Sequence, residues 1–229
     1  NAIEGDVSRE TLMALSIHHA TVPDPFNDLQ LNTIAKHLIG FGMPQSSQKI
    51  LEGGDNAITL VFANRITAGR KLSFNFSWPS CLVKNGKCTG KARLTIVSTP
   101  PLNYRYGSEF IRVNIDARLR QLQNNGSYKG RLDAVYAPES GRGGLYEKDQ
   151  IEHAFKWSPI KVYEKKFLKG VGPSTDWRLD VEYLTRSGEE VPQSGIPFTA
   201  ILTIFDPKGE EPVFNDMRQT LHSIGVQTV

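Results

Sequence analysis

The feature that most constrains the fold of this sequence is a change in hydrophobic period near residue 56. Beyond that point apolar side chains recur at every second position, which is the period of a β-strand with one buried face. The alternating apolar residues are Ile58, Leu60 and Phe62; Leu72, Phe74, Phe76 and Trp78; Leu94 and Ile96; Ile111, Val113, Ile115, Ala117 and Leu119; Leu132, Ala134 and Tyr136; Ile160 and Val162; Trp177, Leu179, Val181 and Tyr183; and Phe198, Ala200, Leu202 and Ile204. The bulk of the molecule is therefore predicted to be β-sheet.

Turn residues separate these runs. Pro100-Pro101 ends the run that begins at Lys91, because proline cannot donate to a sheet ladder. A polar and aromatic turn ending near Gly107 then leads into the long strand 111–119. Some eight short strands with turns between them predict a mainly β fold, an antiparallel β-sandwich of jelly-roll-like type, preceded by a short helical segment.

The first part of the chain has a helical period instead. Helical spacing of apolar residues predicts a helix over 8–20, a second over 31–38 and one further turn over 46–51. The double glycine at Gly53-Gly54 follows, and the period changes there. The sequence thus predicts a helical segment over 1–55 and a β-sandwich domain over 56–229.

Three segments outside the strands are also informative. Residues 138–147 and 169–174 are rich in glycine and proline, which predicts loops, the first of them mobile. Residues 213–221 fit either a short helix or a final strand, since their periodicity does not decide between the two.

Composition and charge exclude several classes of protein. The chain has 27 basic and 24 acidic residues, a net charge of +3, and the basic residues are scattered rather than clustered. We therefore expect no nucleic-acid partner. We expect no membrane partner either, because no apolar run approaches the roughly 20 residues that a membrane span needs. The few cysteines, and the lack of a charged-then-apolar leader before Ile3, favour a cytoplasmic location.

The two cysteines leave two alternatives open. Cys81 and Cys88 flank Asn85-Gly86, a dipeptide that favours a tight hairpin turn, so a disulfide across the hairpin is geometrically possible. Two cysteines in 229 residues are more typical of free thiols in a reducing compartment. They are too few ligands for a structural zinc site.

A search for catalytic chemistry gives no catalytic, cofactor-binding or metal residue. His18 and His19 are adjacent on a predicted helix and so point to different sides, which prevents them from sharing one metal. The sequence has no Gly-x-Ser-x-Gly and no His-Glu-x-x-His motif. The glycine loop 141–144 lacks the lysine and hydroxyl residue of a phosphate-binding loop. We expect no cofactor.

Two weaker possibilities concern carboxylates and tryptophans. By the alternation Asp116, Asp133 and Asp180 lie on outward faces of strands, where a pair could meet as glycosidase acids do, although solvated charges are commoner there. Trp78, Trp157 and Trp177 could line a carbohydrate platform, although core or edge packing is the commoner role of tryptophan. Neither possibility assigns a site residue.

Several segments resemble the C-terminal part of bacterial subtilisin-like serine proteases, the subtilases. TLMALSIHHA followed by IGFGMPQSSQKIL resembles the end of their catalytic domain. GKARLTIVSTPPLNYRYGSEFIRVNIDARL, HAFKWSPIKVYEKKF and FTAILTIFDPKG resemble strands of the extra β-domain of larger members. The Gly-Thr-Ser-Met motif of the nucleophile is missing from this sequence, and no residue inherits a triad role.

The resemblance implies a specific role. Residues 1–55 would be the helical tail of a subtilisin-like catalytic domain, and 56–229 an accessory C-terminal β-sandwich domain. The parent protein would be a serine endopeptidase, whereas this chain would be inactive alone. Its partners would be the parent catalytic domain and protein substrates. The alternative is an independent carbohydrate- or protein-binding β-sandwich module.

Overall fold

The computed structural model describes residues 7–24, 26, 38–51, 53–134, 151 and 156–223. The helices are α1 (Arg9–His18), α2 (Ser47–Leu51) and α3 (Val213–Ser223), with 3-10 turns at Ser80–Leu82 and Tyr104–Glu109. The strands are β1 (Ala57–Ile66), β2 (Leu72–Ser77), β3 (Val83–Lys84), β4 (Lys87–Cys88), β5 (Lys91–Ser98), β6 (Val113–Leu122), β7 (Tyr128–Gly130), β8 (Asp133–Ala134), β9 (Ile160–Lys166), β10 (Asp176–Thr185) and β11 (Ile196–Phe205).

Nine of the strands form two antiparallel sheets that pack face to face, and β3 and β4 pair as a separate two-stranded hairpin. One sheet has five strands in the order β1-β11-β5-β9-β8, and the other has four in the order β2-β10-β6-β7. Successive long strands alternate between the sheets, as they do in a jelly roll. The predicted mainly β sandwich preceded by a short helical segment is confirmed.

The core lies between the two sheets and is built by the alternation seen in the sequence. On β6 the residues Val113, Ile115, Ala117 and Leu119 are at most 1% exposed, and all belong to one apolar cluster. Trp78, Trp177 and Phe167 stack within it, with ring centroids 4.4–5.8 Å apart. Burial of these apolar surfaces is the main force that holds the sheets together.

Helix α1 packs on the outer face of the five-stranded sheet. The side chain of Ser8 caps its N-terminus by accepting a hydrogen bond from Thr11 N at 3.2 Å. Ala14 packs against Val97 and Ile201, so β5 and β11 are buried on both faces. The helix predicted over 8–20 is confirmed.

Helix α3 closes one end of the sandwich. Its residues Val213 and Met217 are buried in the main core, and Phe214 N donates to Asp55 O at 2.8 Å, next to the start of β1. Of the two structures that the sequence allowed for 213–221, the helix is the one observed. The packing of α3 against the sheet ends, rather than its own periodicity, decides this.

The remaining predicted segments have different outcomes. The turn over 46–51 corresponds to α2, and Cys88 in β4 bridges to Val171 in the 169–174 loop. Most of the helix predicted over 31–38, and the loops 138–147 and 141–144, lie outside the described residues.

Candidate functional site

The outer face of the four-stranded sheet carries a dense array of charges. Outward positions of β6 and β10, with the residue that precedes β2, hold four basic and three acidic side chains. This set, here called the charged face, is Lys71, Asp116, Arg118, Arg120, Arg178, Asp180 and Glu182. The described helices make their main contacts elsewhere, α1 on β5 and β11 and α3 on β1 and a 3-10 turn.

Asp180 lies at the centre of the charged face. Its carboxylate oxygens lie 2.8 Å from Arg178 Nε, 3.1 Å from Lys71 Nζ and 3.2 Å from Arg120 Nε. Ser73 Oγ also donates to Asp180 at 2.7 Å. The Asp180 side chain is 0% exposed because these partners cover it. The sequence correctly predicts an outward position for Asp180, but the expectation of a solvated charge is wrong.

The partners of Asp180 also set its pKa. Burial alone would raise the pKa of this carboxyl, but the hydrogen bond from Ser73 and the charges of Lys71 and Arg178 hold it below its ordinary value. A glycosidase general acid needs a raised pKa. Asp180 therefore does not suit that role. Asp133 is an exposed residue that pairs with Lys165 at 2.6 Å.

Two side chains of β9, in the five-stranded sheet, hydrogen-bond to β6 at the edge of the charged face. Lys161 is 2% exposed, and its ammonium donates to the backbone carbonyl of Ile115 on β6. Tyr163 donates its hydroxyl to Asp116 Oδ1 at 2.6 Å. Burial lowers the pKa of Lys161 to about 8 and raises that of Tyr163 well above its ordinary value.

The orientation of β9 corrects the interpretation of its alternation. The sequence pattern favours Ile160 and Val162 as the core-facing residues. In the structure Ile160 packs in the cluster under α1, and Val162 pairs with Thr95 on that same outer face. Lys161 and Tyr163 therefore point inward. The pattern of β9 itself carries no signal of this orientation, because the helix that needs a second apolar surface on the sheet lies about 150 residues earlier in the chain.

Two arginines near the ends of β6 and β10 stack on aromatic rings, one exposed and one partly buried. The guanidinium carbon of Arg112 lies 3.6 Å from the ring centroid of Tyr106, and that of Arg186 lies 4.1 Å from Trp157. Such cation–π pairs occupy the ring face that a sugar would need. Trp78 and Trp177 are core residues, so the three tryptophans do not form one carbohydrate platform.

The contact between α1 and its sheet is polar as well as apolar. His18 is buried, and its two ring nitrogens hydrogen-bond with the hydroxyls of Thr95 at 2.9 Å and Thr203 at 2.8 Å. Burial, reinforced by the charge of Arg93, lowers the pKa of His18 well below its ordinary value. Neutral His18 is thus a structural residue whose partners are threonines, and not the base of a serine triad.

The cysteines are separate free thiols. Cys88 is buried and accepts a hydrogen bond from Trp177 Nε1 at 3.4 Å. Burial and the nearby Asp216 carboxylate raise the pKa of Cys81 to about 12. Since the thiolate is the reactive species, neither environment suits nucleophilic chemistry.

An open depression lies between three turns at one end of the sandwich. It has a volume of about 760 Å³ and is lined by Asn85, Gly86, Lys87, Gln123, Asn124, Asn125, Gly172 and Pro173. Its lining has one cation and no carboxylate or histidine. The depression therefore lacks the acid–base groups of a hydrolytic site.

Comparison with known proteins gives no family. No protein-family model matches the chain, and no curated protein matches it. Within the described ranges no three His, Cys, Asp or Glu side chains are grouped as a metal site would need. The described helices are also too short or too polar to cross a membrane.

Proposed function

We propose that this chain is a non-catalytic accessory domain that acts beside the catalytic domain of a subtilisin-like serine protease. In this proposal the sandwich orients the catalytic domain or its protein substrate, and the N-terminal helical segment is the junction. The proposal rests on the resemblance of residues 11–20 and 39–51 to the end of that catalytic domain. One structural observation, the exposed apolar side chains of the N-terminal segment, supports it.

That observation is the two-sided character of the N-terminal segment. One side of α1, with Ala14 and His18, is buried on the sandwich. The opposite side leaves Leu12 56% exposed, and Val7, Leu38 and Met43 are also exposed large apolar residues. Exposed apolar side chains gathered in one segment are typical of a surface that another protein surface covers. A catalytic domain on the far side of α1 would bury Leu12.

A labelling assay tests the non-catalytic part of this proposal. The purified chain is incubated with casein and with a serine-directed fluorophosphonate probe. We expect neither cleavage nor labelling, because the described residues place no serine beside a histidine that a carboxylate orients. Cleavage that the probe abolishes would overturn this part of the proposal.

A variant in the full-length gene product tests the junction. Leu12→Lys places a charge on the exposed side of α1 and leaves the buried side unchanged, so we expect peptidase activity to fall by tenfold or so. Leu184→Lys, on the outer face of β10, is the matched control and should keep full activity. Equal activities, or a gene product without a Gly-Thr-Ser-Met segment upstream of Ile3, would refute the proposal.

A second candidate is an independent module that binds a protein through the charged face. The observation that favours it is the arginine stacking on Tyr106, Tyr128 and Trp157, which presents ordered cations beside the acidic residues. Arginine and aromatic residues are enriched at protein interfaces. A glycan array separates this from carbohydrate binding: binding that Trp157→Ala abolishes would favour the sugar.

A further inference from the structure

In the described part of the chain, β1, the first strand of the five-stranded sheet, has a neighbouring strand on one side only. β1 pairs with β11 over ten consecutive residue pairs, from Ala57–Phe205 to Ile66–Ile196, without a bulge. Among the described residues no strand pairs with its other side. A regular strand of this length presents a row of backbone N–H and C=O groups to which another strand can pair.

Over most of its length β1 lacks the devices that usually protect such an edge. Residues 56–64 contain no charged residue, no proline and no glycine. Val61, on the outer face, is 41% exposed, and Leu60 and Phe62, on the inner face, are only partly buried. Natural edge strands commonly carry lysine, proline or a bulge to prevent pairing. The side chains of β1, as well as its position at the side of the sheet, therefore allow another strand to pair with it.

The charges at the two ends of β1 select the occupant. Asp55 and Arg65 flank the neutral stretch and have opposite signs. If a second copy pairs antiparallel with its two-fold axis at Leu60, Asp55 of each copy comes beside Arg65 of the other. The same register places Ile58 beside Phe62 and Thr59 beside Val61, so that paired side chains share a face, as antiparallel pairing requires.

We propose that β1 is a homodimerisation edge, at which two copies of this chain pair antiparallel about Leu60 and join their five-stranded sheets into one. The neighbouring register, centred on Val61, is disfavoured because it puts Asn64 beside Ile58 and leaves Asp55 and Arg65 unmatched. The inference concerns a surface on the side of the sandwich and does not depend on the protease proposal.

Sedimentation velocity on the purified chain gives the first test. We expect a mass that rises with concentration from 25.5 kDa to twice that value. Val61→Lys introduces a charge at an exposed position, and two copies would bring two lysines close together at the pairing edge. We expect it to raise the dimer dissociation constant at least tenfold while the circular dichroism spectrum stays unchanged. Leu168→Lys, in an exposed turn away from β1, is the control and should dimerise normally.

Cysteine cross-linking gives the register. In a Cys81→Ser background, Leu60→Cys should form a disulfide with its own copy, since directly opposed residues have Cα atoms about 4.5–5.5 Å apart. Val61→Cys should not, because the two copies of that residue would be diagonal neighbours, about 7–8 Å apart.

Each outcome of these tests bears on the inference. A wild-type chain that stays monomeric at high micromolar concentration overturns it, as does a dimer that Val61→Lys leaves intact. Cross-linking of Val61→Cys in place of Leu60→Cys overturns the register. If Leu60→Cys loses its native spectrum, the Val61→Lys result decides alone, because that side chain lies on the outer face and outside the core cluster.

Discussion

The polar side chains on the two outer faces of the sandwich are shielded from water in different ways. The five-stranded sheet is covered by α1, and the hydroxyls of Thr95, Thr199 and Thr203 beneath the helix hydrogen-bond with its side chains. The four-stranded sheet has charged side chains that cover one another, with Asp180 fully buried among three cations. Burial of polar groups thus needs a partner for each group, which hydroxyls supply on one face and ion pairs on the other.

This difference predicts how much stability is lost when one polar group is removed from each face. On the covered face the hydrogen bonds of Thr95, Thr199 and Thr203 join neutral groups, so the removal of one of them should cost little and should not depend on salt. On the charged face the central carboxylate neutralises several cations at once, so its removal affects the whole group.

Removal of the Asp180 carboxylate has the largest expected effect. Asp180→Ala leaves Lys71, Arg120 and Arg178 close together without their shared anion, and we expect the free energy of unfolding to fall by about 3 kcal/mol. The loss lies at the lower end for a buried ion pair because the three cations keep partial contact with water. Guanidinium denaturation measures it.

Glu182→Ala is the matched control for this variant, since Glu182 lies on the same face and contacts some of the same cations. It is partly exposed, so we expect a loss below about 1 kcal/mol. Equal losses for the two variants would mean that Asp180 is not the centre of the network.

A change beneath α1 should come second. Ala14→Leu adds three carbons where α1 contacts Val97 and Ile201, and overpacking of this kind costs about 2 kcal/mol. We expect limited proteolysis to cleave residues 7–24 faster, because this is the central apolar contact between the helix and the sheet. Ser16→Leu, on the exposed side of the same helix, should leave the cleavage rate unchanged. Global unfolding without faster local cleavage would contradict the separate docking of α1.

The alternation of apolar residues in the sequence predicts the sandwich and most of its core. It does not predict that α1 covers one outer face or that ion pairs bury Asp180 on the other. The inward residues of β6 were predictable because one face of that strand is apolar and the other polar. The inversion of β9 was not, since Ile160 packs in the cluster under a helix about 150 residues earlier in the chain. The burial of Asp180 likewise depends on Lys71, more than 100 residues away, and local patterns carry no such pairing.

Acid should affect the two faces in separate pH windows. The pKa of His18 in the folded chain is well below 6.5. As pH falls below about 6.5, the unfolded chain therefore binds a proton at this imidazole and the folded chain does not. The free energy of unfolding then falls by up to about 1.4 kcal/mol per pH unit. Asp180 also has a lowered pKa, but its contribution is lost only below its ordinary value of 3.8. Urea titrations of wild type and His18→Gln between pH 7 and 4.5 measure the difference.

We expect His18→Gln to flatten most of the slope in that interval. His19 retains a smaller share, since burial and Arg93 lower its pKa too. Asp180→Asn should leave this slope intact and alter stability only at lower pH. An unchanged slope in His18→Gln would show that α1 docking does not depend on the neutral imidazole.

Salt gives the smallest effect and the cleanest contrast between the faces. Arg118 is more than half exposed and pairs with Asp116 at 3.1 Å, so Arg118→Gln should cost about 0.5 kcal/mol at low salt. In about 1 M NaCl, where charges are screened within about 3 Å, that cost should disappear. Thr199→Val removes a neutral hydrogen bond to Thr11, and its cost of about 1 kcal/mol should not change with salt. Each variant is compared with the wild type at the same salt concentration, so the general effect of salt on hydrophobic burial cancels. A salt-independent cost for Arg118→Gln would mean that its stem packs on the sheet and that its charge contributes nothing.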